Sequence, residues 1–365
     1  MSFEGVWNVR GRLVNMRNAL ERGSLTIGFI GGSITDGRSP YKWPEPVLAW
    51  LCEQYPHVRI TVENAAIGAT GSDLAVFRAE RDLISRGCDI VFVEYAVNDS
   101  GEPTAKRMKT REGLLRKLLA SGTCDVALAY TYIQVMYKDM AEGRMPASVE
   151  EFERLADHYG LNSVWMGKHA FDEVRLGRLR WEEWLPDGLH PTERGSYSYA
   201  QSVIELLKRE LAMPLDGAGE LPSLLPEPLD PLHWGNAWKL PFDAVKLEGP
   251  WTIRRYLKHT WIDQAIYTSA VGAKLSFSFR GRGVTLGFDF GKQSAEFRYR
   301  LDGGEWKLSE RDRPAWCGND GWFRLFLVAD DLDPGEHSLE LEVVHGDRPD
   351  CTGTNFTLGL IGIID

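Results

Sequence analysis

An α/β domain built on a parallel sheet, followed by an all-β sandwich, is the architecture this sequence predicts. Three observations carry it. Between Leu25 and Glu210, short apolar, β-rich runs alternate with longer segments of helical period. After Leu211, five prolines (Pro214, Pro222, Pro226, Pro228 and Pro231) interrupt every period, and from about Val245 apolar and polar residues alternate to the C-terminus. Parallel strands need crossover helices, so β-α alternation implies a parallel sheet covered on both faces. A period of two implies antiparallel sheets with one wet face each.

In chain order, strands are expected at residues 25–31, 58–63, 89–97, 125–132 and 161–166, where β-branched and apolar residues cluster. Helices are expected between them at residues 44–54, 72–86, 104–120 and 149–158, with a last one at 193–210. The resulting division is an α/β domain over residues 1–211, a linker over 212–244 and a β-sandwich over 245–365. Its alternation is plainest at residues 274–280, 297–301 and 337–343.

At 365 residues the chain suits two domains, each large enough for its own core. A formal net charge of -10 argues against nucleic acid or an anionic membrane as partner, because the average field repels both. Neutral or sparsely charged substrates fit better, and homo-oligomerisation stays open. The five cysteines (Cys52, Cys88, Cys124, Cys317 and Cys351) are odd in number and widely spaced, which suggests neither a disulfide framework nor a zinc cluster. His57, His158, His169, His233, His259, His337 and His345 show no ligand spacing, so no metal and no cofactor is expected. The N-terminus lacks a basic segment followed by an apolar one, and no apolar run reaches membrane-spanning length, so a cytoplasmic protein is expected.

Four segments bear chemistry. Gly31-Gly32-Ser33-Ile34-Thr35 sits where the first strand must turn towards a helix; the glycines permit a tight turn that exposes the serine hydroxyl. Neither a P-loop nor a dinucleotide-binding glycine pattern is present. Asp187-Gly188-Leu189-His190 lies between Pro186 and Pro191, just before the last helix. In a turn, that spacing lets Asp187 accept a hydrogen bond from one imidazole nitrogen while the other faces Ser33 as general base. Asn64 to Gly71 and Ala96-Val97-Asn98-Asp99 follow the second and third strands. A small residue's backbone N–H and an Asn side chain there can donate to an oxyanion. Each segment alone reads equally well as an ordinary turn; together they bring the parts of a hydrolytic site to one edge of one sheet.

In this order the segments resemble the four blocks of the SGNH, or GDSL-like, hydrolases, over roughly residues 25–211. The resemblance implies a flavodoxin-like three-layer fold with Ser33 as nucleophile and oxyanion donor, Asn98 as a second donor, and Asp187 and His190 completing a triad. Gly-Gly-Ser-Ile-Thr replaces the usual Gly-Asp-Ser, as in one subgroup of the family. The second-block glycine falls on Ala69, with Gly68 as its rival, and Ala96 stands where the third block usually has glycine. An SGNH core with an appended jelly-roll-like sandwich resembles several carbohydrate esterases. That implies a short-acyl, acetyl-type serine esterase working through an acyl-serine on oligosaccharide esters such as acetylated xylo-oligosaccharides. The rivals are a lipase, lysophospholipase or thioesterase, an acyl transferase to sugar, and a carbohydrate-binding protein with a degenerate hydrolase domain. Asp36 is read as an acidic residue near a helix start. Trp43, Trp165, Trp181 and Trp184 are read mainly as core, with sugar stacking as the lesser alternative.

Overall fold

The computed structural model describes residues 5–214, 225–309, 311, 313–317, 321–349 and 351–365, and the chain forms two units, Met1–Gly235 and Asn236–Asp365. In the first unit the order is β1 (Trp7–Asn8), α1 (Val14–Arg22), β2 (Ser24–Gly31), α2 (Pro44–Gln54), β3 (Arg59–Asn64), α3 (Ser72–Ala75), α4 (Ala79–Asp82), β4 (Ile90–Glu94) and α5 (Thr104–Leu119). It continues with β5 (Asp125–Ala129), α6 (Tyr137–Ala141), α7 (Ala147–Tyr159), β6 (Asn162–Val164), α8 (Met166–Arg175), α9 (Trp181–Trp184) and α10 (Glu193–Ala212).

The sheet order is β1-β6-β5-β4-β2-β3. The five expected strands all pair in parallel, and every residue of β4 and β5 is buried, as befits strands covered on both faces. Counted along the chain, these strands lie in the order 2-1-3-4-5, the flavodoxin-like arrangement, whose ligands sit beyond the carboxyl ends at the switch point. Here that point is β2 beside β4, with Gly31 opposite Glu94.

Local chemistry explains the helix ends. Pro44 opens α2, where its missing N–H costs nothing. Gly23 and Gly160 close α1 and α7 in the left-handed conformation. Thr192 caps α10 by accepting from Gly195 N–H.

Several expectations change. The sheet is mixed, because β1 pairs antiparallel with β6 through Trp7 and Asn8. The helix expected over 72–86 is broken into α3, α4 and a 3₁₀ turn. The cause is burial: all six residues from Leu74 to Ala79 are inaccessible, which no single face of a straight helix can provide. Within that stretch Arg78 turns inward to donate to Ala65 O and pair with Asp82. Of the segment 212–244 read as a linker, residues 215–224 lie outside the described residues. Residues 225–235 run back along α5: the N–H groups of Leu229 and Asp230 donate to the buried Glu112 carboxylate, Arg116 donates to Pro226 O, and Trp234 is buried.

The second unit contains β7 (Trp238–Lys239), β8 (Lys246–Glu248), β9 (Thr252–Arg255), β10 (Gln264–Thr268), β11 (Lys274–Gly281), β12 (Gly283–Phe290), β13 (Glu296–Leu301), β14 (Lys307–Leu308), β15 (Trp322–Ala329), β16 (Gly335–Val344) and β17 (Phe356–Ile364). One antiparallel sheet runs β15-β12-β17-β10-β9, with β7 also on β17, and the other runs β14-β13-β16-β11-β8. Leu275, Phe277 and Phe279 of β11 point inward beside Leu341, Leu339 and His337 of β16. Phe297 meets Phe288 of the facing sheet with ring centroids 5.0 Å apart, inside one apolar core drawn from both sheets.

Candidate active site

The carboxyl ends of β2, β3 and β4 and the loop before α10 deliver the polar residues. After β2 the chain turns at once, with Thr35 and Asp36 N–H both donating to Gly32 O. Ser33 rides on that turn, half-buried, and its carbonyl accepts from Ser39 Oγ at 2.5 Å. Gly32 has no substitute here, because a Cβ at this position would collide with the side chain of Asn98. The same packing sets the Asn98 amide against the backbone that carries Ser33.

Ser33 Oγ lies 2.8 Å from His190 Nε2, and His190 Nδ1 lies 2.8 Å from Asp187 Oδ2. An ionised carboxylate only accepts, so Nδ1 carries the proton and Nε2 of the neutral ring accepts from the serine hydroxyl. Asp187 Oδ1 accepts from the N–H groups of Leu189 and His190 at 2.9 and 2.7 Å. A single carboxylate therefore shapes the turn and orients the ring, which is the physical content of the three-residue spacing. Partial burial alone would raise the Asp187 pKa, but the His190 ring and these N–H groups hold it below the usual carboxylate range. The loop is braced by Gly188 in the left-handed region and by Gln134 N–H, which donates to Gly188 O at 2.9 Å.

Gly68 N–H donates to Asp36 Oδ2 at 3.0 Å, whereas Ala69, where the family pattern places glycine, adopts φ +59°. That region costs an L-residue about 1–2 kcal/mol, and strain of this kind persists where the surroundings impose it. Gly68 also packs close to Ser33: a Cβ on it would lie 3.4 Å from Ser33 Cβ.

Asp36 is not at a helix start, since α2 begins only at Pro44. It is buried and accepts from Arg38 N–H, the Arg38 guanidinium and Gly68 N–H, which joins the first and second loops. Burial raises its pKa, but Arg38 and the two N–H donors outweigh that and lower it. Asp99 joins the second and third loops by accepting from Ser72 N–H and from the buried Arg111. Trp43, Trp165 and Trp184 are buried in the core and offer no face to a sugar; Trp181 is half-buried in a cluster with Tyr132, Phe171 and Trp184.

Sequence reasoning passed over Glu94. It is completely buried at the end of β4, where a Cβ on Gly31 would lie 2.9 Å from its Oε2. Burial pushes its carboxyl up to about 7, against the pull of hydroxyl and N–H donors. The available signal was one acid inside an otherwise apolar strand.

Residues 29–196 match the GDSL-like Lipase/Acylhydrolase family. No curated protein matches the chain. Among solved structures, a two-domain esterase (CEX) active on acetylated mannans, co-crystallised with mannopentaose, is similar at 24% identity and TM-score 0.82, covering 100% of this chain and 98% of that one. The same esterase in a second crystal structure aligns at 23% identity and TM-score 0.85 with the same coverage. An acetylxylan esterase from Geobacillus stearothermophilus, at 22% identity and TM-score 0.44, aligns over 53% of this chain and 96% of its own.

Proposed function

We propose, from the match of residues 29–196 to the GDSL-like lipase/acylhydrolase family, that the protein is a serine esterase removing acetyl groups from oligosaccharides. The observation that carries the reading is the continuous line from Ser33 Oγ through His190 to Asp187 at the carboxyl edge of the sheet. Ser33 Oγ attacks the acetyl carbonyl as its proton passes to His190 Nε2, and Asp187 stabilises the imidazolium that results. Negative charge on the carbonyl oxygen meets the backbone N–H groups of Ser33 and Ala69 and the side chain of Asn98. The C–O bond to the sugar breaks, His190 returns the proton to the departing hydroxyl, and acetyl-Ser33 remains. Water, deprotonated by His190, then releases acetate.

The substrate class is supported by the full-length fold likeness to an esterase active on acetylated mannans, which makes manno-oligosaccharides a target beside xylo-oligosaccharides. A short acyl group fits the segment after the nucleophile. Its Asp36 and Arg38 are joined in an ion pair and its Trp43 is buried, so it offers no aliphatic lining. The test is an acetate-release screen over acetylated manno- and xylo-oligosaccharides, run beside p-nitrophenyl acetate, butyrate and octanoate. Release from the sugars with an acetate maximum is expected. A maximum at octanoate would replace this reading with a lipase or thioesterase, and no turnover of any ester would leave a binding protein.

A further inference from the structure

Beneath the nucleophile turn lies a carboxylate that this chemistry leaves unused. Glu94 Oε2 accepts from Thr35 Oγ1 at 3.0 Å and from Gly32 N–H at 3.4 Å, and Oε1 accepts from Thr131 Oγ1 at 2.7 Å. Thr35 Oγ1 itself accepts from Trp43 Nε1 at 2.9 Å. Because an indole nitrogen can only donate, that contact leaves the Thr35 hydroxyl proton directed at Glu94. One carboxylate thus gathers the turn after β2 and the loop after β5, and through Thr35 the residue before α2.

Among the described residues no cation is paired with Glu94, and Asp99 acts on it as a like charge. An apolar residue ending β4 would avoid the cost of burying a carboxylate. A carboxylate at this position does something an apolar residue could not. Here it supplies three acceptor contacts to donors that hold the nucleophile turn.

We propose, on the basis of the serine-esterase reading, that Glu94 is a positioning residue, fixing the turn that aims Ser33 at the ester without touching substrate. Charge-assisted hydrogen bonds are about twice as strong as neutral ones. Glutamine keeps the shape and one full acceptor, but Thr131 must then turn its hydroxyl to accept from the amide. The turn survives and is held more loosely. Alanine removes the post altogether. Displacing a reacting group by about 1 Å costs on the order of 10² in rate.

The experiment compares Glu94→Gln, Glu94→Ala and Ser33→Ala with the wild type. It uses p-nitrophenyl acetate kinetics, the rate of Ser33 labelling by a fluorophosphonate, and thermal unfolding at pH 8. For Glu94→Gln a roughly three- to tenfold fall in kcat is expected, with KM within about twofold and a melting temperature equal to or above the wild type. Glu94→Ala should lose about thirtyfold or more in kcat and in labelling rate. Should that variant fail to fold, Thr35→Val severs the same link and should lower kcat about fivefold at constant KM. A structural part alone would make activity follow stability; the proposal requires Glu94→Gln to lose the first and keep the second. Wild-type kcat in the glutamine variant, or a rise in KM alone, overturns it. Full activity in Ser33→Ala overturns the esterase reading instead, which keeps the two failures apart.

Discussion

Replacing Glu94 by glutamine should remove a pH dependence from the stability of the fold, and its size follows from the burial of that carboxyl. In the unfolded chain Glu94 ionises at about 4.5; in the folded protein burial raises this to about 7. Between those values the unfolded chain has released the proton while the folded protein still holds it, so folding loses stability as pH rises. The contribution is complete below about pH 4.5 and gone above about pH 7. At about 1.4 kcal/mol per pH unit the loss is about 3 kcal/mol. Glutamine is neutral throughout, so relative to wild type it should gain about 3 kcal/mol between pH 4.5 and pH 7.5. Urea unfolding of both proteins at intervals of one pH unit measures this. The difference between them cancels every group they share, including the buried Asp125, whose carboxyl is pushed to about 6. A difference that stays flat across the range refutes the argument, because Glu94 would then ionise at its ordinary pKa despite complete burial.

Three further outcomes follow from the site. Ser33→Ala should lower kcat by on the order of 10³ or more at unchanged melting temperature, because a half-exposed hydroxyl contributes chemistry and little packing; a tenth of wild-type kcat would remove Ser33 as nucleophile. Asn98→Ala should lower kcat by roughly 10² to 10³ with little change in KM, whereas a rise in KM alone would make Asn98 a substrate-binding residue. Ala69→Gly should keep kcat/KM within about twofold and change stability by between zero and about +1 kcal/mol, since relief of the left-handed strain exceeds or matches the added freedom of the unfolded chain; a fall in melting temperature of several degrees would show that the Ala69 methyl is a packing group.

What the sequence made legible was whatever repeats with the period of an element or sits on a short spacing. Strands β2, β4 and β5 announce themselves as apolar runs because strands covered on both faces have no polar side to display, whereas the edge strand β3 is largely exposed. Asp187 and His190 could be paired because three residues in a turn suffice for a carboxylate to reach both the backbone and the ring. The sequence did not reveal the Asp36 contact with Gly68 N–H, because the two loops meet only in the fold. Residue types at those two positions do not encode that.

The parts that were not legible have one physical origin: they are determined by partners distant in the chain. The break after α3 follows from Arg78 reaching Ala65 O and from Phe77 packing on Trp234, a residue from the returning segment with its ring centroid 6.0 Å away. Asp36 looked like a helix-start acid because only the fold brings Gly68 to it, and the sugar-stacking alternative for Trp43 stayed open because only the fold turns its indole N–H onto Thr35. Glu94 is the extreme case. Its three donors come from positions 32, 35 and 131, and none lies near it in sequence. A buried polar group must find its hydrogen bonds, so an acid at the end of an apolar strand implies a converging set of donors even before their identities are known. At the carboxyl edge of a flavodoxin-like sheet those donors belong to the loops that form the site. An acid at position 94, ending an otherwise apolar strand, is therefore the sequence signal that points to this cluster of donors.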